Sequence, residues 1–251
     1  MATPSPEKRP AGDADPSGLG SRRWTDVAAS RPPVLVVPVG SCEQHGPHLP
    51  LDTDTRVAVA VAVAVAAQRS DVAVAPAVAY GSSGEHQDFA GTLSIGTDAL
   101  RAVLVELGRS AFPDPAAAGP FAHVVFVNGH GGNHDALRAA VEVLAGEGRP
   151  VSAWRPTIAG GDAHAGRTET SLLLAIAPDV VGPERPVGAT APIGDLLPVM
   201  RAGGVAAVSA VGVLGDARGA SAAEGRTLLA ALVDDLRDHL DAFLTDQSGS
   251  G

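Results

Sequence analysis

Residues Val34 to Asp54 read VLVVPVGSCEQHGPHLPLDTD, an apolar run that gives way at Gly40 to a polar loop. An unbroken apolar run of this length predicts a strand covered on both faces, as in the parallel sheets of α/β proteins. The loop behind it carries Glu43, His45, His48, Asp52 and Asp54, while Gly46, Pro47 and Pro50 bend or stiffen its backbone. Oxygen and imidazole donors on irregular backbone beside a rigid element suit hard or borderline metals. A solvated surface loop is the plainer reading. So many potential ligands within a dozen residues directly after a strand favour the metal.

Moving outward, Arg56 to Ala67 reads RVAVAVAVAVAA. Its period of two suggests a strand, yet both alternating residues are apolar, so no polar face is defined. The run is also long for a strand. Thr53, Asp54 and Thr55 offer helix caps and the alanines favour helix, so a buried helix is predicted. Further strands are predicted over 71–81, 123–128 and 150–156. A helix capped by Thr97 or Asp98 should bury Leu100, Val103, Leu104, Leu107 and Ala111. Another should open at Asn133 or Asp135 and end near Gly146, and TSLLLAIA predicts a third. Residues 179–221 read as loop-rich, and the capping box Ser221-x-x-Glu224 starts a last long helix. This alternation implies a single-domain three-layer α/β/α fold with a mostly parallel sheet. The domain is expected over residues 31–244. Residues 1–30 are expected to form a disordered tail whose Trp24 and Val27 dock on the body of the domain, and 245–251 a flexible one.

Composition narrows the function. The chain has 251 residues, 45 % of them hydrophobic, enough for one substantial core. No apolar run reaches the roughly 18 residues that would span a bilayer. The first residues lack a signal-peptide core, so a cytoplasmic protein without a membrane partner is expected. A net charge of −10 argues against nucleic acid, whose phosphates need a basic footprint. Lys8, in the tail, is the only lysine, which argues against Schiff-base and P-loop chemistry. Cys42 is the only cysteine, which excludes an internal disulfide; with carboxylates beside it, it reads as a packing residue.

In open α/β sheets ligands bind beyond the carboxyl ends of the strands. Three such loops carry the chemistry: Glu43-x-His45 with Asp54, Asn128-Gly-His130-Gly-Gly-Asn133, and His164-Ala-Gly-Arg-Thr-Glu169. Another loop carries Glu85 and His86. Glu43, His45, Asp54, His130 and Glu169 make a five-ligand set. One carboxylate bridging two divalent ions about 3.5–4 Å apart would complete a hydrolytic site. His164 is the candidate proton shuttle and, with Glu169, the candidate catalytic pair. Arg167 reads as an exposed loop residue or as an anchor for a substrate anion. His123 and His239 read as structural. Taken alone, GHGGN could instead cradle the phosphate of a nucleotide in a non-catalytic binding module.

Beyond these features, GSCEQHGPHLPLDTD, GSSGEHQDFAGTLSIGT, NGHGGN, HAGRTETS and GVLGDARGASAAEG, in that order, resemble the creatininase family of metal-dependent amidohydrolases. The resemblance spans about residues 34–240 and is strongest toward the family's mycofactocin-system subgroup. It implies metals on Glu43, His45, Asp54 and His130, with Asp54 as the bridge. Creatininase has a glutamate where this chain has Gly132, so Glu169 is the implied substitute. The implied cofactors are two divalent ions drawn from Fe²⁺, Zn²⁺ and Mn²⁺. The implied substrate is a short modified precursor peptide, cut at an amide bond near its C-terminus to release a cyclised Val-Tyr-derived unit. A small cyclic amide or a formamide is the alternative. Creatininase closes tryptophans over its substrate, and neither Trp24 nor Trp154 lies in a corresponding loop. The implied assembly is a homo-oligomer, a hexamer.

Overall fold

The computed structural model describes residues 18–30, 33–113 and 120–248. Four strands form one parallel sheet among them: β1 (Val34–Val39), β2 (Val72–Val74), β3 (His123–Asn128) and β4 (Val151–Trp154), in the order β2-β1-β3-β4. β1 pairs with β3 along its whole length, from Val34 beside His123 to Val39 beside Asn128.

Alternation along β1 divides the core into two layers, because successive side chains point to opposite faces. Val34 and Val36 join the layer formed by α2 (Thr53–Ala66), α5 (Arg167–Ile176) and α7 (Ala222–Ser248). Leu35, Val37 and Val39 join the opposite layer under α3 (Gly96–Ala111) and α4 (His134–Gly146). The three-layer expectation therefore holds, with a wholly parallel sheet. Each fully buried Val, Leu or Phe side chain contributes about 1.5–3 kcal/mol relative to exposure.

The Val-Ala run is α2, as predicted. Its buried positions Val57, Ala58, Val61, Ala62 and Val65 recur with the helical period, and the period-two alternation is incidental to it. α3 differs from expectation. It starts at Gly96, and Thr97 gives its hydroxyl not to a cap but to a contact with Ser82 Oγ at 3.0 Å. Val103 and Leu107 are each 40 % exposed, and Val105 and Gly108 are buried in their place.

Within the stretch expected to be a tail, α1 (Trp24–Ser30) is a short helix. Val27 packs on the α3–α4 layer, whereas Trp24 is 80 % exposed and does not dock. Residues 1–17 and 249–251 lie outside the described residues, and α7 continues to Ser248 through most of the expected C-terminal tail. The region read as loop-rich contains α6 (Ile193–Gly203), with Pro198 inside it. Only half of the capping box forms at α7: Glu224 N donates to Ser221 Oγ at 3.2 Å, while the Glu224 carboxylate accepts from Ser171 Oγ and Arg167. No described helix is long and apolar enough to cross a membrane.

Strand order reverses between β1 and β3: β2 lies outside β1, and β4 outside β3. That reversal opens a crevice at the strands' carboxyl ends, the usual ligand position in such sheets.

Candidate metal centre

Every strand sends a loop to this crevice. Asn133, at the start of α4, ties three of them together. Its Nδ2 donates to Gly40 O at 2.9 Å and its Oδ1 accepts from Ser82 N at 2.9 Å. It makes no side-chain cap bond to α4, although it occupies the predicted cap position. The fourth loop is clamped at His164, whose backbone N–H donates to Leu214 O and whose O accepts from Leu214 N at 2.8 Å. Ala165, next along, has φ of +52°, a left-handed conformation that costs a non-glycine residue about 1–3 kcal/mol. Its N–H donates to Glu169 Oε2 at 2.6 Å and so ties the turn to the first turn of α5.

The structure brings Glu43, His45, Asp54, His130 and Glu169 together. Asp54, in the first turn of α2, lies between two groups of donors. Its Oδ1 is 3.1 Å from His45 Nε2, and Glu169 Oε2 is 3.8 Å from that same nitrogen. Its Oδ2 is 3.3 Å from His130 Nδ1 and accepts from Ser41 Oγ at 2.7 Å. Glu43 Oε2 is 3.1 Å from His130 Nε2. Candidate ligand sets thus form around Glu43, Asp54 and His130 on one side and around His45, Asp54 and Glu169 on the other, and Glu43, His45 and His164 make a third grouping between them.

The donor set fits divalent cations. Glu43 is 0 % exposed, and neither of its carboxylate oxygens has a hydrogen-bond partner. Burying a carboxylate costs several kcal/mol unless its oxygens are paired and hydrogen-bonded, and a divalent cation among these donors offsets that cost. Burial, reinforced by Asp54, raises the Glu43 carboxyl against the pull of His130 and His45. Burial likewise raises Glu169. Burial opposes ionisation of Asp54 too, but His45 and His130 outweigh it and hold that carboxyl well below its usual range. Burial also opposes charge on His45, yet Asp54, Glu169 and Glu43 raise it to about 10. His130 is raised by Glu43 and Asp54 in the same way.

These directions give a testable linkage. Without metal, both imidazoles carry a proton at neutral pH, and a metal ligand must be neutral. Loading therefore displaces a proton from each. Apparent affinity rises with pH, by about tenfold per unit for each displaced proton, and the His45 contribution ends above about pH 10. Calorimetric titrations in buffers of different ionisation enthalpy should show this release at pH 7. A heat independent of the buffer would contradict it.

His164 also reaches the centre. Its Nε2 lies 2.8 Å from Gln44 O, which fixes Nε2–H as the donor and leaves the Nδ1 lone pair facing Glu43 Oε1 at 3.6 Å. Burial, then the charge on His45, lowers it to about 4, so it stands neutral and able to accept a proton. The His164 ring packs between those of His45 and His86, with centroids 4.3 and 4.4 Å apart and the rings tilted by 42° and 45°.

Three further residues belong to the site that the ligand set read from the sequence did not include. His86 Nε2 is 3.4 Å from Glu43 Oε1, and burial pushes His86 down to about 2. Gln44 Nε2 donates to His86 Nδ1 and to Gly212 O, both at 2.9 Å. Glu85 Oε1 is 3.4 Å from His130 Nε2. The loop of Glu85 and His86 was visible in the sequence, but nothing in it gave their distance from Glu43 or His130.

The remaining candidates lie elsewhere. His48 is buried and its Nε2 contacts Thr170 Oγ1 at 2.8 Å, anchoring the first loop to α5. Cys42 Sγ lies 3.7 Å from Gly91 O. Arg167 is exposed and paired with Glu224, and His134 is exposed at the start of α4. His123 stacks edge-on against Phe243, and His239 contacts Ser152 Oγ. Trp154 is buried and donates to Asp235 Oδ2. The GHGGN turn points the His130 ring at Glu43, Asp54 and Glu85.

Residues 21–240 match the family model for creatininase, described as creatinine amidohydrolase. A protein named mycofactocin precursor peptide peptidase from Mycolicibacterium smegmatis is 52 % identical over 243 residues, covering 94 % of this chain and 95 % of its own length. One of the same name from Mycobacterium tuberculosis (strain H37Rv) is 56 % identical over 228 residues, covering 86 % of this chain and 88 % of its own. A solved structure named "Creatininase Mn" superposes with a TM-score of 0.72 at 26 % identity, over 89 % of this chain and 97 % of that one.

Proposed function

The chain belongs to the creatininase family of amidohydrolases, and on that premise we propose that it is a metal-dependent peptidase acting on a short modified precursor peptide. The observation that carries the reading is Asp54, with one oxygen beside His45 and the other beside His130, next to a fully buried Glu43 whose oxygens make no hydrogen bond. Glu43, Asp54 and His130 would hold one divalent ion, and His45, Asp54 and Glu169 a second, drawn from Fe²⁺, Zn²⁺ and Mn²⁺. Such ions polarise a carbonyl oxygen and acidify water at neutral pH.

The chain's own residues supply the rest. His164 takes a proton on Nδ1 from the attacking water and passes it to the departing amide nitrogen. Gln44 O holds the opposite ring nitrogen, so the lone pair stays turned toward the site. Water adds oxygen to the carbonyl carbon, the carbon–nitrogen bond breaks, and the amine leaves protonated. Glu169 acts both as a ligand and as a carboxylate within the catalytic group.

The peptide substrate is supported by the names of the relatives that share more than half of this sequence. It also accords with the positions of Trp24, exposed on α1, and Trp154, bound to Asp235, neither of which is placed to close over a small ring. Assembly into a homo-oligomer belongs to the same reading, for which exposed Tyr80, Leu93, Val103 and Leu107 offer apolar surface. The test is to offer metal-loaded protein the modified precursor peptide, creatinine and a formamide in parallel. Release of a C-terminal fragment, seen by mass analysis, with creatinine untouched, is the expected result. Turnover of creatinine or the formamide with the peptide intact would replace this substrate with a small amide.

A further inference from the structure

We propose that Glu85 is a positioning residue of the metal centre, holding the His130 ring from the side opposite Asp54 through the gap left by Gly132. The inference rests on the two-ion reading above. The ring of His130 has two polar edges. Nδ1 faces Asp54 Oδ2 at 3.3 Å. Nε2 faces Ser82 O at 3.1 Å, in hydrogen-bond geometry, with Glu43 Oε2 at 3.1 Å and Glu85 Oε1 at 3.4 Å around the same edge. Ser82 and Glu85 come from one loop, so a single segment of chain clasps this edge.

Gly132 makes the arrangement possible. A Cβ there would lie 2.4 Å from His130 Nε2, 2.4 Å from Ser82 O and 2.6 Å from Glu85 Oε1. No real side chain tolerates such approaches, so any residue but glycine would push the ring, the carbonyl or the carboxylate away. At this position the chain leaves space, and a carboxylate from the loop after β2 enters it.

The chemistry follows from the pairing. A histidine that donates its far N–H to a carboxylate or carbonyl is fixed in tautomer and ring orientation and becomes a stronger ligand. Glu43 Oε2 also lies 3.1 Å from Nε2 but makes no hydrogen bond there, and its place in a candidate ligand set assigns it to the ion. Glu85 is partly exposed, its side chain keeping 31 % of its surface, so its removal does not empty the core.

The experiment is a metal titration of the full chain, wild type against Glu85→Gln, Glu85→Asp and Gly132→Ala, read by calorimetry and elemental analysis. Wild type should bind two equivalents. Glu85→Gln should weaken one of them by about 10–100-fold and leave the other unchanged. Glu85→Asp should recover part of the loss, and Gly132→Ala should reproduce the selective weakening. Two equivalents in Glu85→Gln with unchanged affinities would overturn the role of Glu85 and leave the two-ion reading standing. A wild-type chain that binds no ion would overturn that reading itself. Should Glu85→Gln not fold, Gly132→Ala decides, because unchanged affinity there contradicts the clasp.

Discussion

Asp54→Ala should lower metal content below one equivalent per chain and reduce hydrolysis about a thousandfold, a loss of roughly 4 kcal/mol of transition-state stabilisation. Of the residues assigned to the two ions, Asp54 is the one shared by both sets. Oδ1 stands beside His45 Nε2, and Oδ2 beside His130 Nδ1. Losing a terminal ligand weakens one ion, whereas losing Asp54 weakens both. Its place in the first turn of α2 and the hydrogen bond from Ser41 Oγ favour the ionised form needed for that task. Elemental analysis of the purified variant, followed by turnover at saturating metal, measures the effect. Full activity with two ions bound would end the bridging role.

His164→Ala should leave both ions in place and lower kcat by about 10²–10⁴-fold with little change in KM. The Nδ1 of His164 is an accepting nitrogen 3.6 Å from Glu43 Oε1; it could group with Glu43 and His45 around a cation, but the two proposed ion sites do not use it. Because the ring is packed between His45 and His86, truncation also opens space. His164→Gln, which fills more of that space but cannot relay a proton, should be nearly as slow. Unchanged kcat with intact metal in both variants would remove proton transfer from this residue. Loss of metal in both would make His164 a ligand instead.

The fold was legible wherever burial on two faces leaves an apolar run. Val34–Val39 and His123–Asn128 show this, and each ends where its polar loop begins. The Val-Ala stretch was resolved only by weighing length, caps and alanine content, since its own periodicity points to a strand. α3 shows the limit of local signals. Thr97 looks like a cap, but its hydroxyl is drawn to Ser82 by the loop before it. Val103 and Leu107 look like core, but the helix turns Val105 and Gly108 inward.

The site divides in the same way. Glu43, His45 and Asp54 announce themselves because they crowd one loop, and His130 and Glu169 because they follow other strands. Glu85 and His86 also lie behind a strand, yet their function depends on distances across loops. In the case of Glu85, it depends on a side chain that Gly132 does not have. An absent side chain leaves no ligand to read, and only the folded chain shows what occupies its space.

The central claim is that two ions sharing Asp54 drive hydrolysis of a peptide amide. The most direct test is a stepwise titration of metal-depleted protein with one divalent ion, with cleavage of the modified precursor peptide measured by mass spectrometry at each addition. The account predicts no cleavage without metal and a plateau at two equivalents per chain, with a single amide bond cut near the peptide's C-terminus. Full cleavage by the metal-free chain, or a plateau at one equivalent, would contradict it.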